Sequence, residues 1–349
     1  MDIVNSFKEK DFLLNYRRKD GIIIIYSVIT EVNIMLYLYI FIAVAAFALL
    51  AAILTSLICF FRVFYSKRQP ALKEDEYDIP PGEIYEPFRE QMIAWQKEIR
   101  EMAHEDVQIV SHDGLTLRGR YYEHRRGAPV ELMFHGYQGN SDRDLCGGVG
   151  RSFALDRNVL LIDHRASGKS EGHVISFGIN ESRDCLAWVD FAISRFGDDV
   201  RIILTGISMG AATVMIAAGE ELPKNVICVL ADCGYTSARD IIKKVIRDMR
   251  LPANLLYPFV RLGARLFGHF DPDKTSPLLA MKRCRVPVIF FHGDADDFVP
   301  CDMSRDLYDA CTSTKKLVII EGAGHGLCYP MNKEKYIDAV KQFKQEYGE

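Results

Sequence analysis

The sequence contains no C-x-x-C pair, although it has nine cysteines among its 349 residues. Structural zinc sites usually take their ligands from such closely spaced cysteines, so we expect no zinc site of this kind. The odd number of cysteines, several of them in apolar runs such as Val226 to Leu230, indicates buried free thiols. Scattered free thiols are typical of a reducing compartment, which favours the cytoplasm for the folded part of the chain.

Clusters of basic residues are also missing, since no stretch holds eight or more neighbouring Lys and Arg. The net charge of -4 is nearly balanced, and both features argue against nucleic acid as a partner. The sequence has no internal repeat and no low-complexity tract. Its length suits one large α/β domain with an appendage.

One long hydrophobic run interrupts this balanced composition. Ile34 to Phe61 are 28 residues without a charge, and a helix needs about 20 such residues to cross the hydrocarbon core. The apolar part of a secretory signal usually covers about 7–15 residues and ends at a small-residue cleavage site, which this run lacks. We therefore predict a retained single-pass membrane anchor at 34–61, preceded by an N-terminal segment at 1–33.

Positive charge lies closer to the C-terminal flank of this run than to its N-terminal flank. The basic residues after the run are Arg62, Lys67, Arg68 and Lys73, and those before it are Arg17, Arg18 and Lys19. Because basic flanks stay on the cytoplasmic side, we expect the rest of the chain in the cytoplasm. This preference strengthens if Met35 is the true start.

After the anchor, residues 62–105 are predicted as a charged, proline-containing linker followed by an amphipathic helix over Glu83 to Glu105. From residue 106 onward, apolar strands alternate with amphipathic helices, which predicts a mostly parallel sheet covered on both faces. A turn at His112-Asp113-Gly114 between the first two strands predicts an antiparallel hairpin at one edge. The domain at 106–349 is thus predicted as an α/β fold.

Residues 237–281 interrupt that alternation with two helical segments, Ile241 to Met249 and Leu255 to Phe267. An insertion at this place in the chain is well positioned to roof a site at the carboxyl ends of the strands. We predict a small helical cap that shapes the substrate pocket, although ordinary crossover packing stays open for the first segment. The second segment places four residues on one apolar face, namely Leu255, Phe259, Leu262 and Leu266.

The strongest local signal is Gly206-Ile207-Ser208-Met209-Gly210, which follows an apolar strand and opens a helix. A sharp strand-to-helix turn lifts a serine hydroxyl clear of the sheet, and Gly206 and Gly210 leave space for that turn. Backbone N–H groups at the start of the helix face developing negative charge. Ser208 is therefore the candidate nucleophile.

A serine nucleophile needs a base that is oriented by an acid. His325 lies in a Gly-rich loop after the last predicted strand, which makes it the candidate base. The loop after the preceding strand offers three candidate acids, which are Asp294, Asp296 and Asp297. The residues alone leave the choice among these three open.

From about residue 106 the chain resembles the α/β-hydrolase superfamily, nearer its bacterial serine-aminopeptidase and esterase-like branch. His292 to Pro300 match the H-G-x-x-D-x-x-V-P loop of that branch, which implies Asp296 as the acid. His135 to Asn140 resemble the family's H-G loop, which implies the Tyr137 N–H as an oxyanion donor beside the Met209 N–H. The resemblance also makes His135 a loop-bracing residue.

The family's D-x-R-x-x-G-x-S loop appears at Asp163 to Ser170, with Ala166 in place of a common glycine. Asp163 and Arg165 are expected to brace the neighbouring loops.

These expectations together describe a serine hydrolase that cleaves a carboxylic ester through an acyl-enzyme, without a metal or an organic cofactor. The anchor and the apolar cap suit a lipophilic substrate such as a lipid ester. A peptidase or amidase of the serine-aminopeptidase type is the alternative favoured by the resemblance. An inactive membrane-tethered binding module is the alternative from another class, and the oligomeric state stays open.

Overall fold

The computed structural model describes residues 3–67 and 76–346, with side chains from residue 31 onward. The helices are α1 (Ile3–Val63), α2 (Arg89–Glu101), α3 (Ser141–Asp144), α4 (Cys146–Phe153), α5 (Ile179–Phe196), α6 (Met209–Ala218), α7 (Ala238–Asp248), α8 (Ala253–Phe267), α9 (Pro277–Met281), α10 (Cys301–Ala310), α11 (Cys328–Met331) and α12 (Lys333–Glu346). The strands are β1 (Glu105–Val110), β2 (Thr116–Tyr122), β3 (Val130–Phe134), β4 (Asn158–Ile162), β5 (Ile202–Ile207), β6 (Val226–Asp232), β7 (Val288–Gly293) and β8 (Lys315–Ile320).

The eight strands of the described residues form one sheet in the order β1-β2-β4-β3-β5-β6-β7-β8. The strands from β3 onward pair in parallel, whereas β2 pairs antiparallel with both β1 and β4. Every residue of β3, β4 and β7 is buried, as expected for parallel strands that are covered on both faces. The predicted α/β fold with an antiparallel hairpin at one edge is confirmed.

The single helix predicted for Glu83 to Glu105 is wrong at both ends. The segment begins as a 3-10 helix over Glu83–Phe88 that contains Pro87, and the α-helix starts at Arg89. Proline has no backbone N–H to donate, so regular α-helix starts only after it. The α-helix ends at Glu101 because the next residue takes extended backbone angles, and Glu105 already belongs to β1.

Helix α1 extends beyond the predicted anchor in both directions. Among the described residues, Glu31–Val63 is the one helical stretch that is long and apolar enough to cross a membrane, by length and composition. Residues 68–75 of the predicted linker lie outside the described residues. All nine cysteines are free thiols, and seven of them are buried, as predicted.

The end of α1 belongs to the compact unit formed by Ser56–Glu349, whereas residues 1–55 form a unit of their own. Ser56 and Phe60 are buried on one face of the helix, and Phe64, the residue directly after the helix, is buried as well. Beyond the helix, the Ile175 N–H donates to the Phe64 carbonyl at 2.8 Å. The last turns of the apolar helix are therefore part of the folded domain.

Three helices, α7, α8 and α9, lie between β6 and β7. The apolar face predicted for α8 is wrong, because Leu255 is 64% exposed and Leu266 is 46% exposed. The buried side chains of α8 include Tyr257, Val260 and Ala264 instead. Apolar residues surround most of this helix, so packing in the folded unit decides which face is covered.

A buried carboxylate joins β3 to its neighbours. Glu131 is fully buried and accepts hydrogen bonds from Arg151, from Arg157 at 3.0 Å, from Ser152 at 2.7 Å and from Thr205 at 2.7 Å. Burial alone would raise the pKa of Glu131, but the two guanidinium groups and the hydroxyls lower it to about 2. The carboxylate is therefore ionised and satisfied inside the core.

We expect Glu131→Gln to lower the free energy of unfolding by about 3–5 kcal/mol, because two buried guanidinium groups lose their counter-charge. The pKa of Glu131 in the fold lies below its ordinary value of 4.5, so its contribution is present above about pH 4.5 and is lost as the pH falls toward 2. Urea unfolding of the full chain at several pH values measures both effects.

The exposed Glu98 offers a control, since Glu98→Gln removes a helical carboxylate that lies at the surface. A Glu131→Gln chain that unfolds like the Glu98→Gln chain, with the parent's pH dependence, would contradict the expectation.

Candidate active site

The candidate nucleophile lies in the turn between β5 and α6. Ser208 has a φ of 56°, in the left-handed region that side chains rarely adopt. A Cβ at Gly206 would lie 2.1 Å from the Gly210 carbonyl carbon, and a Cβ at Gly210 would lie 2.0 Å from the Phe134 carbonyl oxygen. No side chain fits at either glycine, so the turn closes tightly and holds the serine at the top of the sheet.

The structure brings Ser208, His325 and Asp296 together. His325 Nε2 lies 3.0 Å from Ser208 Oγ, and His325 Nδ1 lies 2.7 Å from Asp296 Oδ2. The three residues follow β5, β8 and β7, and the carboxyl ends of these parallel strands meet at one edge of the sheet. A hydroxyl, an imidazole and a carboxylate in this order can activate the serine for nucleophilic attack.

Hydrogen bonds from several directions hold Asp296. Its Oδ1 accepts from the Phe298 N–H at 3.0 Å and from the Val299 N–H at 2.8 Å. His292 Nε2 lies 3.3 Å from Oδ2, the same oxygen that meets His325. Burial alone would raise the pKa of Asp296, but the two histidines and the backbone hydrogen bond hold it well below its usual range. The carboxylate is therefore charged at neutral pH.

The two other aspartates of this loop have different contacts. Asp294 Oδ1 accepts from the Gly322 N–H at 2.7 Å, which ties the acid loop to the loop that carries His325. The Asp297 carbonyl oxygen accepts from the Lys244 ammonium of α7. Asp294 thus links the two loops through its side chain, whereas Asp297 contacts α7 through its backbone.

The loop after β3 lies against the nucleophile. A Cβ at Gly136 would lie 3.7 Å from Ser208 Cβ. The Gly136 N–H donates to Asp144 Oδ2 at 3.1 Å, and the Gly139 N–H donates to the Gly136 carbonyl at 3.3 Å. These bonds close a tight turn that contains Tyr137.

The side chain of Tyr137 fixes this turn to the end of α1. Its hydroxyl donates to the Val63 carbonyl at 2.8 Å, and its ring centroid lies 5.0 Å from that of Phe177. Met209, the residue after Ser208, begins α6. Of the two backbone N–H groups named as oxyanion donors, one thus belongs to the residue after Ser208, and the other belongs to the turn that lies against Ser208.

Comparisons with known proteins agree with this architecture. The model of the prolyl oligopeptidase family matches residues 176–348, the part of the chain that contains Ser208, Asp296 and His325. An esterase from Pyrococcus furiosus has a similar structure, with a TM-score of 0.60 and 19% identity, over 81% of this chain and 98% of the esterase chain. The chain belongs to the α/β-hydrolase superfamily.

Two further proteins are similar to this α/β-hydrolase. YqkD from Bacillus subtilis (strain 168), described as uncharacterized, is 30% identical over 190 residues, which are 54% of this chain and 62% of that protein. The chain thus spans less than two thirds of this relative. An acylaminoacyl peptidase from Pyrococcus horikoshii has a TM-score of 0.52 and 17% identity, over 72% of this chain and 42% of that chain. At such identities the structural likeness shows the fold, and the family match adds support for a serine hydrolase.

A buried histidine supports the loops of the hydrolase site. His135 Nε2 accepts from the His164 N–H at 3.0 Å, and its Nδ1 lies 2.7 Å from the Gly136 carbonyl oxygen. Burial lowers the pKa of His135, so its ring stays neutral and joins two loops. The expectation that His135 braces a loop is confirmed.

The loop after β4 is braced by charged side chains. Arg165 contacts Asp184 at 2.6 Å and Asp113 at 2.8 Å, and Asp163 accepts from two backbone N–H groups. The expected bracing roles of Asp163 and Arg165 are confirmed. Ala166 has a φ of 60°, the left-handed region that favours glycine, which accounts for the glycine common at this place in the family.

Within the described residues, one group of three side chains has the composition of a metal site, namely Cys233, Asp296 and His325. Burial raises the pKa of the Cys233 thiol well above its ordinary value, so the thiol stays protonated. The nearest oxygen of Asp296 and Nδ1 of His325 are already hydrogen-bonded to each other. This donor set therefore suits the Ser208–His325–Asp296 arrangement better than a metal ion.

Sequence reasoning missed the segment that lies behind the base. The Tyr85 hydroxyl donates to the His325 carbonyl at 3.0 Å, across 240 positions of sequence. A Cβ at Gly324 would lie 3.2 Å from Ile84 Cδ1, so the 3-10 helix also packs on the histidine loop. No spacing or motif in the sequence marks this contact.

We expect Gly210→Ala to destabilise the fold by about 1–3 kcal/mol, because the new methyl group meets backbone atoms of β3 that cannot move aside. Urea unfolding measures the change. Gly150→Ala is a matched control, since nothing lies within 4 Å of a Cβ there. The control is expected to gain about 0.5–1 kcal/mol as a helical alanine. Equal stability of the two variants would contradict the close approach at Gly210.

Proposed function

We propose that this chain is a serine hydrolase that cleaves a carboxylic ester, with Ser208 as nucleophile, His325 as base and Asp296 as acid. One observation carries the proposal. A continuous set of hydrogen bonds, 2.7 Å from Asp296 to His325 and 3.0 Å from His325 to Ser208, lies at the carboxyl edge of the sheet. The ionised state of Asp296 supports its role as the partner of an imidazolium.

In the proposed mechanism, His325 Nε2 accepts the Ser208 proton while the oxygen attacks the carbonyl carbon of the substrate. Asp296 stabilises the imidazolium that forms. The Met209 and Tyr137 N–H groups bind the oxyanion, and each lost donor is expected to cost about 2.7–4 kcal/mol of barrier. His325 then protonates the leaving group, and water, deprotonated by His325, releases the acyl group from Ser208.

The surroundings of the site favour an acyl ester as the substrate. The ring of Phe298 lies 5.0 Å from that of His325 in an edge arrangement and is partly exposed. Met209 belongs to a buried apolar cluster that also contains residues of the cap helices α7 and α8, and Tyr137 packs against this cluster. An apolar boundary of this kind suits a lipophilic acyl chain.

Amide cleavage is the second candidate. It is supported by the match to the prolyl oligopeptidase family and by the structural likeness to an acylaminoacyl peptidase. The triad chemistry is the same for esters and amides, so the leaving group has to be determined by assay.

We expect the full chain to be labelled by a fluorophosphonate probe at Ser208, because an activated serine attacks phosphorus as it attacks a carbonyl. Ser208→Ala and His325→Ala should abolish labelling, and Asp296→Asn should lower kcat by about 10⁴. Asp294→Asn is the matched control, since that carboxylate contacts Gly322 and not the imidazole. Gel fluorescence measures labelling, and a panel of acyl esters and aminoacyl anilides measures turnover.

If the folded parent chain is not labelled, the inactive binding module becomes the favoured function. If the chain cleaves anilides as fast as esters, amide cleavage replaces ester cleavage as the proposed activity.

We also propose that Ile34 to Phe61 anchor the chain in a membrane, with the hydrolase domain in the cytoplasm. The burial of Ser56 and Phe60 supports retention, because a cleavage after the apolar run would remove these two side chains, which pack inside the folded unit. The basic residues that follow the run support the orientation.

We expect the chain, tagged at its C terminus, to stay in the membrane pellet after alkaline carbonate extraction and to keep its uncleaved mass. In right-side-out vesicles the tag should resist added protease. Release of the chain by carbonate, or a measured mass that lacks the apolar run, would contradict the proposed membrane anchor. Digestion of the tag would contradict the proposed orientation and leave the membrane anchor itself unaffected.

A further inference from the structure

The turn between α7 and α8, together with the first turn of α8, presents apolar side chains at the surface. Met249 and Leu255 are each 64% exposed, and Leu251 is 44% exposed. We call these three residues the cap tip. Large apolar side chains that are exposed as a group usually mark an interaction surface.

The position of α8 indicates what this surface meets. A Cβ at Gly263 would lie 2.3 Å from the Ser56 carbonyl oxygen, so the backbones of α8 and α1 approach closely. Four residues further along both helices, the ring centroids of Phe267 and Phe60 are 5.8 Å apart. The two helices therefore run in the same direction here. At this contact the N-terminal side of α8, which carries the cap tip, corresponds to the Ser56 side of α1, and its C-terminal side corresponds to the Val63 side.

The residues around the cap tip also suit a lipid surface. Ile58 and Phe61, at the end of the apolar helix, are themselves exposed apolar residues. Arg247 precedes the tip and Arg250 lies between two of its residues, and both arginines are exposed, whereas the exposed Asp248 pairs with Lys244. Arginine side chains beside an apolar tip can extend their charge to the headgroups while their stems lie along apolar surface.

We propose that the cap tip inserts into the acyl-chain boundary of the bilayer that holds the Glu31–Val63 helix. This inference rests on the membrane anchor proposed above and adds a second, independent contact between the domain and the lipid. The cap thereby lies at the membrane surface, where a lipophilic ester would be taken up.

The test places a tryptophan in the tip of the full chain by Leu255→Trp, with Met249→Trp as a second variant. Each chain is reconstituted in nanodiscs of phosphatidylcholine and phosphatidylglycerol, with and without brominated acyl chains. Parent nanodiscs supply the background of the two native tryptophans. The added indole should lose about half of its emission to brominated lipid, because a side chain inserted about 5–10 Å lies beside the bromines. Iodide in the buffer should quench it little.

Leu279→Trp is the matched control, because Leu279 is a leucine of comparable exposure, 49%, on α9. The neighbouring Ala280 contacts Gly219 at the C-terminal end of α6, away from Ser208. Its indole should be quenched by iodide and not by brominated lipid.

Three outcomes would overturn the inference. Quenching at the tip by iodide alone would place it in solvent, and resistance to both quenchers would place it against a second copy of the chain. Equal lipid quenching at Leu279→Trp would show that the assay does not distinguish the tip. If the chain does not enter nanodiscs at all, the anchor itself fails, and the inference fails with it.

Discussion

The close approach of the β5–α6 turn to the end of β3 is the constraint on which the site depends. Because no side chain fits at Gly210 beside the Phe134 carbonyl, the nucleophile turn lies directly against the loop that follows β3. That contact brings Gly136 and Tyr137 to the serine. The left-handed backbone of Ser208 persists because packing on both sides leaves the turn no other conformation.

Much of this arrangement could be predicted because it depends on local patterns. Buried parallel strands appear as continuous apolar runs, and the carboxyl ends of such strands meet at one edge. The order of Ser208, Asp296 and His325 along the chain therefore implied their meeting place. The choice of Asp296 over its neighbours needed the family resemblance, because all three aspartates follow the same strand.

Other features depend on tertiary contacts that no local pattern reports. Helix α4 was not predicted, since it contains three glycines that disfavour a helix. Two of them lie where a Cβ would meet Trp95 and Met133, so close packing favours the helix over its propensity. The outward face of α8 was misjudged because apolar residues surround most of that helix, and only the folded partner selects a face.

The hydrogen bond from the Tyr137 hydroxyl to the Val63 carbonyl means that the two halves of the apolar helix tolerate different sequence changes. Under the proposed membrane anchor, the residues up to Thr55 need only an apolar sequence of suitable length. From Ser56 onward, the helix must also fit Gly263, and Phe64 directly after the helix must fit Phe177 and Phe270. Another apolar helix could replace the first half of this proposed anchor, whereas replacement of the second half would remove side chains that belong to the folded unit.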